Sequence, residues 1–306
     1  AQSTFTISNT KFINNECNSA CGGGIGLWID NGAQLFGLQF ENCIFEHNHA
    51  AYLRKEYNNG KGGAVEFGLS PKTGPISPTF TNCQFNHNRA DSGGGALSLA
   101  VTGSVCIEGC SFYNNTAQIN PNNQTDCGGA IYFMPNGGSN SIKNSSFISN
   151  KDPVATALFV GDSSNSIEIT DDCQFIDNGQ YANENSNDII VTYSKQFSMR
   201  GSSIKFTNPS VSSPRGIKIL GHATIENVLF SNINGNDMIN KASSIYVVDG
   251  SGQVKIDKCI FTDCGCGRFK FASILVESHA STEISGSTFN YTDVKNASGA
   301  IRVTAR

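Results

Sequence analysis

The side chains that would carry chemistry lie far apart in this chain. A "TDD" run at 170–172, a "GH" at 221–222 and an "RFK" at 268–270 supply carboxylates, an imidazole and cations, the groups used to cleave glycosidic bonds. That reaction needs two carboxyl groups converging to within about 10 Å across one linkage. His47, His49 and His87 offer imidazoles to a transition metal, with His47 and His87 both two residues after a Phe. The 11 cysteines include the close pairs Cys17 with Cys21, Cys106 with Cys110 and Cys264 with Cys266. None forms a CxxC with a matching second pair, as a zinc site would require. The glycines of "CGGGIG" at 21–26 lead into no helix that would present its N-terminus to a phosphate. Whether any of these residues meet depends on the elements that carry them.

Those elements are read from repetition. A Phe recurs at Phe12, Phe45, Phe85, Phe112, Phe147, Phe175, Phe206, Phe230, Phe261 and Phe289. Two positions before it stands a small or thiol side chain in most units, among them Cys43, Cys83, Cys110, Ser145, Cys173, Cys259 and Ser287. Three positions after it stands Asn15, Asn48, Asn88, Asn115, Asn150 or Asn178 in the first units. Downstream comes a Gly or small pair followed by alternating apolar residues, as in "GGAVEF", "GGALSL" and "GGAIYF", and upstream a short apolar pair such as Leu38 and Phe40. Each unit thus holds three stretches with the period of two that marks strands, and none with helical spacing.

Three short strands in a repeat of about 30 residues describe one turn of a parallel β-solenoid. Successive turns lie about 4.8 Å apart, so equivalent residues form columns. The Phe column fills the interior and the Cys/Ser column stays small where walls converge. The Gly column permits a backbone turn, and the Asn column sits where the chain turns, in left-handed φ/ψ, with amides bonding from turn to turn. Cys43, Cys83 and Cys110 fall within the span of a disulfide, so the thiol column holds either stacked thiols or a bridge. The expected fold is all-β, a single right-handed parallel β-helix of about ten turns over residues 1–306. On this register Asp172, His222 and Arg268 belong to different columns, so they are not expected to form a catalytic site. No catalytic, cofactor-binding or metal site is expected.

The pairing of "GGAI" with "FxxN" resembles the repeats of chlamydial polymorphic outer membrane proteins and of related protist surface proteins. The resemblance implies a β-helix displayed outside the cell and an adhesive role, and it transfers no catalytic residue. It is clear in the second to fourth units and weaker where "FTNP" and "FSNI" lose the Asn.

Composition limits the partners. Charged residues make up 15% of the chain and the net charge is −4, so neither nucleic acid nor an anionic membrane is implied. No stretch approaches 18 apolar residues, so no membrane-spanning segment is expected in this chain. Sequons at Asn114, Asn123, Asn144, Asn290 and Asn296 fit N-glycans on a secreted, extracellular protein. The expected function is a non-enzymatic structural or adhesive β-helix, on a cell surface or in an extracellular filament. The alternatives are an adhesin module for carbohydrate or protein with a loop-borne site and, third, a polysaccharide lyase or hydrolase.

Loop lengths locate that site. The loops at 49–60 and 117–127 leave two turns apart, about 10 Å along the axis, and bring Tyr52, Arg54, Lys55 and Tyr57 to a shared patch. The chain opens on "STFTISNTKF" and closes on "SGAIRVTAR", both readable as repeat units without a cap. The expected neighbours are therefore further turns of a longer protein, or subunits stacked end to end.

Overall fold

The computed structural model describes residues 4–18, 22–29, 37–51, 60–69, 76–118, 127–134, 137–161, 166–179, 188–208, 215–233, 242–264, 272–277, 279–290 and 300–304. Every regular element among them is a strand, and the strands stack in parallel into three walls of ten strands each. The first wall runs from Thr4–Ser8 to Ser281–Ser285, the second from Lys11–Ile13 to Thr288–Asn290, and the third from Ile25–Ile29 to Ile301–Thr304. The protein is an all-β parallel solenoid, and each strand pairs with its equivalents in the neighbouring rungs.

Alternation in sequence becomes inside and outside. In Gly37–Glu41, Leu38 and Phe40 are buried while Gln39 and Glu41 face outward. The second wall supplies the central stack: Phe12, Phe45, Phe85, Phe112, Phe147 and Phe175 lie ring on ring, with centroids 4.6–4.9 Å apart and planes within 3–6°. Phe230, Phe261 and Phe289 resume it. Burying each ring is worth about 1.5–3 kcal/mol, and ring contact adds roughly 1 kcal/mol.

The seventh rung departs from the expected register. Ile204, not Phe206, pairs with Phe175 on one side and Phe230 on the other. Ser202 then stands two residues before the column, where other rungs place Cys or Ser, and it is buried. Phe206 fills the interior from the turn that follows. An inward position accepts any bulky apolar side chain, so Phe spacing alone picks the wrong residue here.

A second departure concerns the asparagines. The left-handed residue is the one before the Asn column: Asn14, His47, His87, Asn114, Ser149 and Asp177, with φ between 50° and 55°. A second left-handed column, including Asn9, Asn42, Asn82 and Asn144, precedes the Cys/Ser position. Each three-residue strand of the second wall is thus bracketed by two sharp turns, which is why short-chain polar residues or Gly recur there.

The Asn column itself points inward. From Asn15 to Asn178, five consecutive Nδ2 groups donate to the Oδ1 of the next Asn at 2.8–3.0 Å. The same oxygens accept the backbone N–H of the preceding rung's Asn at 2.9–3.1 Å. From Asn48 onward each Nδ2 also reaches the carbonyl of a Phe one rung earlier. In later rungs Ile233 and Cys264 take this place, and both are buried.

Beside the ladder, the first four rungs carry an extra two-residue strand: Glu16–Cys17, His49–Ala50, Arg89–Ala90 and Thr116–Ala117. These rungs have four strands where three were expected. The Gly pairs that follow are required by close approach. Gly94 has φ +75°, and a Cβ on Gly95 would collide with the Gly129 carbonyl and the Thr116 amide.

Candidate binding surfaces

The groups suited to cleaving glycosidic bonds do not meet. Asp171 and Asp172 follow the first-wall strand Ser166–Thr170, whereas His222 precedes Ala223–Glu226. Ser166 pairs with Gln196, and Phe197 with Ala223, which sets His222 level with the start of these strands. A strand of five residues separates the two ends, roughly 15 Å at about 3.3 Å per residue. Arg268 lies outside the described residues.

The imidazoles of His47 and His87 stack at 4.9 Å with planes 14° apart, and Tyr113 meets His87 edge-on at 5.2 Å. His87 Nδ1 accepts from the Asn114 amide at 2.9 Å. His49 leans the other way, with Nε2 3.1 Å from an Asp91 oxygen that Arg89 also contacts at 3.2 Å. Among the described residues no group of three or more His, Cys, Asp or Glu is placed to hold a metal ion.

The thiol column holds stacked thiols rather than a bridge. Cys43, Cys83, Cys110, Cys173 and Cys259 are free and buried. Their sulfurs lie 3.1–3.5 Å from backbone carbonyls, as Cys83 does with Phe40 and Thr81. Burial pushes Cys173 and Cys259 up to about 11, while contact with the Cys83 sulfur, and then burial, raises Cys110. Thiols raised in this way stay protonated and serve as packing groups, while contact with the Cys110 sulfur shifts Cys83 downward.

Two buried ionic features escaped the repeat reading. Arg215 donates to both carboxylate oxygens of Asp188, at 2.6 and 3.1 Å, and its guanidinium lies 4.6 Å from the Tyr246 ring centre. Burial pushes the Asp188 carboxyl up and Arg215 pulls it back, while burial and a bond with Glu277 push Tyr246 up to about 12. Asp152 is fully buried near the end of the extra sheet, where Oδ1 accepts the Val154 and Ala155 amides at 2.7 and 2.8 Å. The signal available in sequence was a charged residue at the place where the preceding rungs carry Ala50, Ala90 and Ala117.

Of the five sequons, Asn144 and Asn290 are exposed and Asn114 is half-buried at its left-handed turn. Asn123 and Asn296 lie outside the described residues, as do Tyr52, Arg54, Lys55 and Tyr57. The strands that precede the two loops, His49–Ala50 and Thr116–Ala117, belong to the same sheet two rungs apart.

On the outer face of the third wall, Tyr132 and Phe159 stack at 5.5 Å and pack with Val191, Ala155 and Cys127 into a second apolar cluster. Among the described residues no helix is long and apolar enough to cross a membrane. Residues 109–133, which span one rung from the thiol column to the third wall, match the Chlamydia polymorphic membrane protein repeat. No curated protein and no solved structure matches the chain.

Proposed function

We propose that this chain is a non-enzymatic extracellular β-solenoid, structural or adhesive, displayed on a cell surface or assembled in a filament. The observation that carries this reading is that the residues of the repeat are consumed by packing. Phe stacks on Phe, Asn bonds to Asn, and the thiols face backbone carbonyls, so repetition serves the length and stiffness of the rod. The match of one rung to a membrane-protein repeat favours a surface setting. On this reading its partners are further rungs or subunits end to end, surface glycans or proteins, and N-glycans on the sequons.

Antibody labelling of intact cells, compared with permeabilised ones, tests this. Labelling of intact cells is expected, together with partial block of attachment by soluble protein. Signal only after permeabilisation, or release of reducing ends from polysaccharides by the pure chain, would overturn the reading. The second reading, an adhesin with a loop-borne site, is favoured by the common origin of the two long loops on one sheet. Loss of attachment on replacing Tyr52, Arg54, Lys55 and Tyr57 together would select it.

A further inference from the structure

The first wall bears a groove that the repeat does not explain. From the seventh rung onward the connections into this wall include two of only three residues, 193–195 and 220–222, followed by 248–252, which is as long as 134–138 and 161–165 before them. They leave the start of four successive strands open, Gln196–Arg200, Ala223–Glu226, Gln253–Asp257 and Ser281–Ser285. The resulting groove encloses about 530 Å3, and its lining includes Lys195, Gln196, His222, Thr224, Lys255 and Glu283.

Its polar groups cross the rungs on a diagonal. Lys195, His222 and Lys255 belong to three consecutive rungs, about 4.8 Å apart per step along the axis, but run obliquely: His222 is level with Gln196 and Gln253, so Lys195 lies one residue before that column and Lys255 two residues after it. Both lysines are exposed and stand outside the ion pairs found among the described residues. His222 is held in place: its Nδ1 accepts the Gln253 amide at 3.0 Å, which leaves Nε2 as the protonated donor of the neutral ring. The ring lies against Gly252, where a Cβ would come within 2.5–2.6 Å of three of its atoms. The imidazole therefore occupies a seat that only glycine leaves open.

We infer that this groove binds an extended anionic glycan, one bearing a carboxylate or sulfate on successive sugars. Polar side chains on successive rungs, about 4.8 Å apart along the axis, offer a diagonal row of partners that suits an extended chain of sugars lying oblique to the strands. The groove lies on the face of a wall whose backbone bonds are already made, so only side chains are offered, which suits a polyhydroxyl chain better than a strand-adding peptide. Single-stranded nucleic acid is disfavoured because successive bases need a row of exposed rings, and in this lining Phe197 is buried, which leaves His222 as the one exposed ring. Long flexible lysines give charge without fixing geometry, while the seated His222 and the Gln and Thr side chains provide directed hydrogen bonds.

Calorimetric titration of the whole chain with an oligouronate, a sulfated oligosaccharide and an uncharged oligosaccharide of equal length tests this. Binding of either anionic probe, weaker at high salt, is expected. The double variant Lys195→Gln/Lys255→Gln should weaken it about tenfold or more. Gly252→Ala, which displaces the imidazole, should weaken it several-fold at unchanged Tm. Glu283→Gln, which removes the acidic group of the lining, should strengthen binding, and Lys143→Gln, at the far edge of the same wall, should do nothing. Preference for the uronate or for the sulfated probe identifies the acidic group. Failure of both, equal binding of the uncharged probe, or an equal loss with Lys143→Gln would overturn the assignment while leaving the surface-protein reading intact.

Discussion

Asp152 occupies an inward place next to a column of small residues, Cys17, Ala50, Ala90 and Ala117. Its Oδ1 caps two amides, its Oδ2 has no hydrogen-bond partner, and burial pushes the carboxyl up to about 7. The folded protein therefore holds a proton there that the unfolded chain, with an ordinary carboxyl, releases near pH 4. The stabilising contribution is present below about pH 4 and is lost as pH rises towards about 7. Asp152→Asn keeps the shape and the Oδ1 acceptor but removes the titration. Urea unfolding at stepped pH should show the native protein losing stability relative to this variant between about pH 4 and 7, by up to roughly 4 kcal/mol at about 1.4 kcal/mol per pKa unit. Parallel profiles would mean that the carboxyl is already ionised in the fold.

The ladder is the element on which the sequence speaks most clearly, because six asparagines held at one offset from a Phe must share one structural role. Spacing could not show which residue of the pair turns and which bonds, so the left-handed conformation is borne by His47, His87 and their equivalents instead. The two-residue strands were invisible for a related reason: two residues have no period. Ile204 was hidden by Phe206, since the interior tests for bulk and not for aromaticity. The groove on the first wall arises from connection length and from residues about 30 positions apart, and no local pattern records that. In mid-ladder, Asn115 Oδ1 accepts two bonds and Nδ2 donates two, to Phe85 O and Asn150 Oδ1. Asn115→Ala strands several buried partners, each worth about 1–3 kcal/mol when left unpaired. Asn115→Asp should be worse at neutral pH despite its closer shape, because a second oxygen would face two acceptors. Chemical denaturation of the two variants checks that order, and an Asp variant as stable as the Ala one would contradict the donor assignment of the amide.

At the scale of the whole rod, rungs touch only their neighbours, so stability is distributed along the axis and not set by one core. The second to sixth rungs combine the Phe stack, the ladder and, in the first three of them, the extra strand, while the outermost strands Thr4–Ser8 and Ile301–Thr304 have only exposed or half-buried residues. Native-state hydrogen exchange should therefore show the strongest protection between about residues 37 and 178, with faster exchange beyond Asn178, where the ladder ends. Uniform protection from rung to rung would show that the ladder adds nothing to local stability. The direction of the bonds has a further consequence. Strands lie across the rod, so backbone pairs and side-chain amides alike run along it, and a load applied between its ends is carried by the rungs in series. Such a rod resists bending along its whole length, yet under tension it opens like a zip at its weakest rung, and the asparagine-stitched stretch is the last to part.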